Sequence, residues 1–182
     1  MQWLAKFIYF KLLGWKVVGN ITLSKEKIKK AVIIAAPHTS WHDFYIGVLL
    51  RSVLGVKTNF VGKKSLFAFP FGWFFRALGG APVNRFSNKN QVLEIVSIFN
   101  TKKEFRLGMS PEGTRKKVEK WRTGFYYIAK EAKVPIIMFT LDFENKQNRI
   151  SEPFHPTDDK EADFKFIKEF YKGVKGKVPE YS

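Results

Sequence analysis

The sequence predicts a single α/β domain built on a mostly parallel sheet flanked by helices, with a short apolar helix at the N-terminus. Three observations predict it. The chain has 182 residues, enough for one domain around one core. Short apolar runs that end at Pro or Gly alternate with longer stretches of helical spacing, the pattern of strands joined by crossover helices. Apolar content is 45%, ordinary for a globular chain, and no repeat, low-complexity tract or Pro/Gly/Ser linker breaks the alternation.

Residues 1–15, MQWLAKFIYFKLLGW, read as a short greasy helix with two Trp, no acid, and lysine stems at Lys6 and Lys11 able to snorkel. The boundaries follow as 1–16 for a membrane-associating helix and 17–182 for the main domain. Strands are expected at 17–23, 31–36, 58–61, 82–84, 105–109 and 134–143. Helices are expected at 41–53, with Thr39 or Ser40 as N-cap, and at 91–100, 123–132 and 158–175. Residues 62–78 are broken by Pro70 and Gly72 and read as two short helical pieces.

Composition narrows the function. The 32 Lys and Arg exceed the 16 Asp and Glu by 16, which calls for an anionic partner. Nineteen Phe beside this charge suit an anionic membrane surface, and composition alone suits a single-strand nucleic-acid binder as well. No stretch reaches the roughly 18 apolar residues of a membrane-spanning helix. The absence of Cys excludes disulfides, thiolate zinc sites and a catalytic thiol, and makes the cytosolic side the default location. His38, His42 and His155 form no ligand cluster with carboxylates, so no metal site is expected.

Three clusters carry chemistry. PHTSWHD, at residues 37–43, follows a buried strand and opens a helix. His38 in the loop can be met by Asp43 one turn into the helix, which would fix the ring's tautomer and leave its other nitrogen as a base. His42 lies beside Asp43 and competes for it. In GGAPVNR, residues 79–85, Arg85 offers a planar fork for phosphate, with Lys63 and Lys64 adding charge. SPEGTR, residues 110–115, closes a strand with a turn able to present successive N–H groups to an anion. Glu112 and Arg115 there suit a ligand with hydroxyl and phosphate groups.

Together these clusters resemble the glycerolipid acyltransferase family, which contains the 1-acylglycerol-3-phosphate acyltransferases. The family's His-x4-Asp block is similar to His38–Asp43, its arginine block to residues 79–85, its Pro-Glu-Gly-Thr-Arg block to residues 111–115, and its Val-Pro strand to residues 134–139. Order and spacing agree over about residues 30–140. Ser110 stands where the family often has Phe, and Asn84 where it often has Asp, both near the expected acceptor site.

The resemblance implies His38 as general base and Asp43 as its partner, acting without an acyl-enzyme. It implies an acceptor site of Lys64, Arg85, Glu112, Gly113, Thr114 and Arg115, with Arg85, Lys64 and Arg115 holding the phosphate and Glu112 either binding an acceptor hydroxyl or holding Arg115 in place. The acyl chain would need an apolar groove, lined from residues 41–50 or 67–75. No cofactor is implied; acyl-CoA or acyl carrier protein thioester would be the co-substrate. The expected partners are anionic membrane lipids and the thioester carrier, with no nucleic acid, and the expected location is peripheral, on the cytoplasmic face of a membrane. Another lipid acceptor (a lyso-aminolipid or a lipid A precursor) is the first alternative, and a non-catalytic basic binding module the second.

Overall fold

The computed structural model describes residues 2–20, 28–83 and 88–182. Seven strands form one sheet: β1 (Lys16–Gly19), β2 (Lys30–Ala36), β3 (Asn59–Lys63), β4 (Gly80–Val83), β5 (Phe105–Met109), β6 (Ile136–Thr140) and β7 (Gln147–Ile150). Their order is β1-β7-β6-β2-β5-β3-β4. Every neighbouring pair is parallel except β6 and β7. The C-terminal ends of β2, β3 and β5 therefore share one edge of the sheet, where ligands of such folds collect.

Side chains alternate across the strands and build two layers. On one face, Val32, Ile34, Leu107, Ile136 and Met138 pack with Phe99 of α4 (Asn88–Thr101), Phe125 of α5 (Gly124–Glu131) and Ile167 of α6 (Lys160–Tyr171). On the other, Ala31, Ile137 and Phe139 pack with Ile46 and Leu50 of α2 (His42–Leu54) and with Ala5 and Tyr9 of the N-terminal helix. That helix, α1 (Gln2–Lys6), continues as a π-helical segment at Phe7–Leu12. It is docked rather than free: Tyr9 is fully buried with its hydroxyl on Asn148, and Gln2 Nε2 donates to Val53 O at 3.0 Å. Between β3 and β4 the chain forms a 3-10 turn at Lys64–Phe67 and then α3 (Gly72–Ala77), the two short pieces that Pro70 and Gly72 predicted.

Three expectations need correction. The N-cap of α2 is Trp41, with no side-chain capping bond. The N–H groups of Thr39 and Ser40 instead donate to Asp43, which reaches back from the first turn. The last apolar strand stops at Thr140, because Asp142 accepts from the backbone and side chain of Asn145 and turns the chain. The turn leads into β7, which the sequence reading missed and which brings β1 into the sheet. Residues 21–23 of the expected first strand and Asn84 of the expected 82–84 strand lie outside the described residues.

Candidate active site

The loop after β2 delivers His38 to the shared strand edge, and the first turn of α2 delivers Asp43 beneath it. Asp43 Oδ2 lies 2.8 Å from His38 Nδ1 and also accepts from the N–H groups of Thr39 (2.8 Å) and Ser40 (2.9 Å). The Asp43 side chain is 2% exposed and that of His38 30%, so the acid is enclosed while the ring meets solvent. A carboxylate acceptor at Nδ1 keeps the ring proton there and leaves Nε2 free as a base. His42 does not compete: its Nδ1 is 2.7 Å from Ser40 Oγ, and its ring lies against Trp41 and Tyr45. Asp43 Oδ1 is buried with no hydrogen-bond partner among the described residues.

The turn after β5 packs against this loop from below. Both oxygens of Glu112 accept from the His38 N–H, at 3.1 and 2.9 Å, and Oε2 also accepts from Ser110 Oγ at 2.8 Å. Burial raises the Glu112 carboxyl above its ordinary value, against the opposing pull of the Ser110 and His38 hydrogen bonds. Ser110 is thus the hydroxyl that steadies Glu112. Glu112 is committed to the His38 loop and forms no ion pair with Arg115. Gly113 has φ +67°, and a Cβ there would come within 2.6 Å of Arg122 Nε, so the turn needs glycine at that point.

The remaining candidates are partly assembled. Lys64 is exposed at the start of the 3-10 turn after β3, on the same sheet edge as His38 and Ser110. Arg115 is exposed and Thr114 half-buried, both past the Glu112 turn. Arg85 lies outside the described residues. Among the described residues no three His, Asp or Glu are grouped to hold a metal ion.

Sequence reasoning missed one brace. The segment after α6 crosses behind the His38 loop: Val178 N donates to Thr39 Oγ1 at 3.1 Å, and a Cβ on Gly176 would come within 2.5 Å of the same oxygen. No motif marks this contact, and it joins positions 139 residues apart.

Beside the His–Asp pair opens an apolar cavity of about 320 Å³ between α2 and the sheet. Its lining includes His38, Asp43, Gly47, Leu54, Ala35, Gly108 and Phe139. It exists because small residues face one another: a Cβ on Gly47 would meet nothing within 4 Å, and Ala35 and Gly108 leave the sheet face low. Along α2 the lining runs from Asp43 to Leu54, about 16 Å at 1.5 Å per residue. Arg51 stands at the far end, its Nη1 donating to Thr58 O and Leu78 O. The α2 segment of the expected groove is therefore part of the lining, while residues 67–75 are not.

Residues 17–141 match the model of a protein family described as Acyltransferase. No curated protein matches the chain. Among solved structures the fold is similar to the crystal structure of PlsC, the 1-acyl-sn-glycerophosphate (LPA) acyltransferase from Thermotoga maritima. The TM-score is 0.61 at 19% identity, over 93% of this chain and 74% of that one. The structural similarity covers 93% of this chain and so reaches past residue 141, where the family model stops. With the family model covering well over half of its length, the chain belongs to the Acyltransferase family.

Proposed function

We propose that the protein transfers a fatty acyl group from a thioester to the hydroxyl of a lysophospholipid such as 1-acylglycerol-3-phosphate, with His38 as general base. The observation that carries this reading is a half-exposed His38 held by a buried Asp43 at 2.8 Å, on the wall of an apolar cavity. His38 Nε2 takes the acceptor's hydroxyl proton, and the oxygen attacks the thioester carbonyl. The C–S bond breaks, and the departing thiolate takes the proton back from the imidazolium. Asp43 stabilises that cation while it lasts. The cavity takes the acyl chain, a use favoured by its size and apolar wall. Lys64, Arg85 and Arg115 supply cations for the acceptor phosphate, and the Gly113–Thr114 turn supplies polar backbone and a hydroxyl. Glu112 acts on the reaction through the backbone of His38.

No described helix is long and apolar enough to cross a membrane. The excess of 16 positive charges supports peripheral work on an anionic membrane, on its cytoplasmic face. Both carriers, coenzyme A and acyl carrier protein, are acidic and suit that charge. The test is thiol release from a long-chain acyl-CoA or acyl carrier protein thioester, with and without lysophosphatidic acid. Release should depend on the acceptor and fall on the order of 10²–10⁴-fold in His38→Ala. A panel including a lyso-aminolipid and a lipid A precursor reads out the acceptor. Failure to release thiol with any donor and acceptor pair would overturn the reading.

A further inference from the structure

The segment between β3 and β4 is folded around one ring yet presents others to solvent. Phe67 is buried and stacks on Phe60, and a Cβ on Gly72 would come within 2.0 Å of Phe67 O. Arg76 Nη1 donates to that same carbonyl at 3.1 Å. So anchored, the strap holds Phe69 98% exposed, Trp73 72%, Phe71 66% and Phe74 44%. Soluble surfaces rarely expose apolar side chains in such a group, and a patch of this kind marks an interaction surface.

The strap does not stand alone. Phe60 joins it to Phe44 of α2, and Arg51 of α2 bonds Leu78 at its end, so strap, α2 and α1 share one face of the sheet. This layer holds 12 of the 16 large apolar side chains exposed among the described residues; the others are Leu93, Tyr127, Phe166 and Tyr181. Charge is divided in the same way. Residues 1–93 contain 14 Lys and Arg against two acids, Glu26 and Asp43, and Asp43 is buried. Residues 94–182 contain 18 against 14. No acid occurs between Asp43 and Glu94, the stretch that includes the whole strap and its exposed Lys64 and Arg76.

We propose that the strap, residues 64–77, is a second membrane-inserting element, which together with α1 lays the cavity-bearing face of the domain on an anionic bilayer. Exposed rings enter the interface while acid-free cationic surroundings meet lipid phosphates. Exposed leucines at Leu4, Leu12 and Leu66 extend the apolar surface, and these cannot stack on bases, so a bilayer fits where a single-stranded nucleic acid does not. The proposal rests on the acyltransferase reading only in that the lipid substrates would come from the same bilayer.

The test is flotation of the intact protein with vesicles of phosphatidylcholine alone or mixed with phosphatidylglycerol. Wild type should bind the anionic vesicles, and the variant Phe69→Ser/Phe71→Ser/Trp73→Ser should bind them roughly tenfold more weakly or less. Leu93→Ser/Phe166→Ser, on the opposite layer, should bind as wild type. In a parallel measurement, brominated acyl chains should quench wild-type tryptophan fluorescence more than that of Trp73→Phe, a variant that keeps an insertable ring. Turnover of a short-chain, water-soluble donor and acceptor should be unchanged in the strap variant. Equal vesicle binding by wild type and the strap variant, equal quenching with and without Trp73, or strap-dependent binding to single-stranded RNA in place of vesicles would overturn the proposal. None of these outcomes depends on acyl transfer: thiol release absent with vesicle binding intact would sink the reaction and leave the surface standing.

Discussion

Two buried aspartates, one in each helical layer, are built alike. Asp43 sits in the first turn of α2 and Asp163 in the first turn of α6, and each reaches back to organise the loop that leads into its helix. Asp163 accepts from Thr157 N (2.7 Å), Thr157 Oγ1 (2.8 Å) and Tyr126 OH (2.9 Å). Asp43 accepts from Thr39 N, Ser40 N and the His38 ring. A carboxylate in a first turn is also favoured by the helix dipole, so both positions have a local reason. The difference lies in the third partner. Tyr126 is buried, and its phenol is pushed up to about 12 by burial and by Asp163, so it remains a fixed donor. His38 is an imidazole open to solvent and cavity. One device braces a fold in the α6 layer; in the α2 layer the same device also holds the His38 ring, the base in the proposed reaction.

The sharpest way to break this comparison is to remove both carboxylates in turn. Asp43→Ala should lower turnover on the order of 10²–10⁴-fold, because the ring loses its tautomer and its counter-charge. It should also cost about 1–3 kcal/mol in urea unfolding, since two loop N–H groups lose their acceptor. Asp163→Ala should cost about 1–3 kcal/mol, since the Thr157 N–H loses its protein acceptor while the Tyr126 hydroxyl can still donate to Thr157 O, and should leave turnover of the folded fraction unchanged. Equal activity losses in the two variants would show that Asp43 serves only the loop.

A second contrast is between the strands and their packing. The Tyr171 hydroxyl donates to Ile34 O at 2.6 Å and accepts from Phe139 N at 3.1 Å, linking α6 to β2 and β6 where they approach the site. Burial pushes this phenol up, so it stays protonated. Tyr171→Phe keeps the ring and strands both backbone groups. It should lower stability by about 1–3 kcal/mol, with a thermal melt as the readout. No loss would mean that the two strands close the gap themselves.

The sequence was most legible where one physical signal dominated. β2 and β5 were found almost to the residue because they are short apolar runs ending at Pro37 and at the Pro111 turn. The crossover helices were found because their apolar spacing repeats at the helical period. β7, QNRI, was invisible because one of its two inward side chains is Asn148, a polar residue satisfied by Tyr9 and by Thr140 O, which leaves Ile150 as the lone apolar one. A buried amide breaks the alternation that marks a strand. The His–Asp spacing was legible as chemistry, but not which histidine Asp43 would choose; Ser40 decides that by engaging His42. The cavity was least legible, since Ala35, Gly47 and Gly108 are unremarkable until the register sets them face to face.

Glu112 separates, through its titration, the acceptor binding that the resemblance implies from the support of the His38 loop that its hydrogen bonds supply. Its carboxyl is raised in the folded protein chiefly by burial. Protonation therefore favours the folded state, and that stabilisation is fully present below the ordinary carboxylate range. It is lost as pH rises from there through the raised folded value, where the ionised form becomes a net burden on folding. Glu112→Gln cannot ionise. The melting temperature of wild type relative to this variant should therefore fall across that acidic window and then stay level toward neutral pH. Activity should answer separately. The amide can accept from His38 N or from Ser110 but presents a donor to the other, so the His38 loop loosens and kcat should drop by roughly tenfold or less. KM for the acceptor should hardly move if Glu112 serves His38. A large rise in acceptor KM with kcat preserved would instead place Glu112 against the acceptor hydroxyl, the role that the resemblance implied.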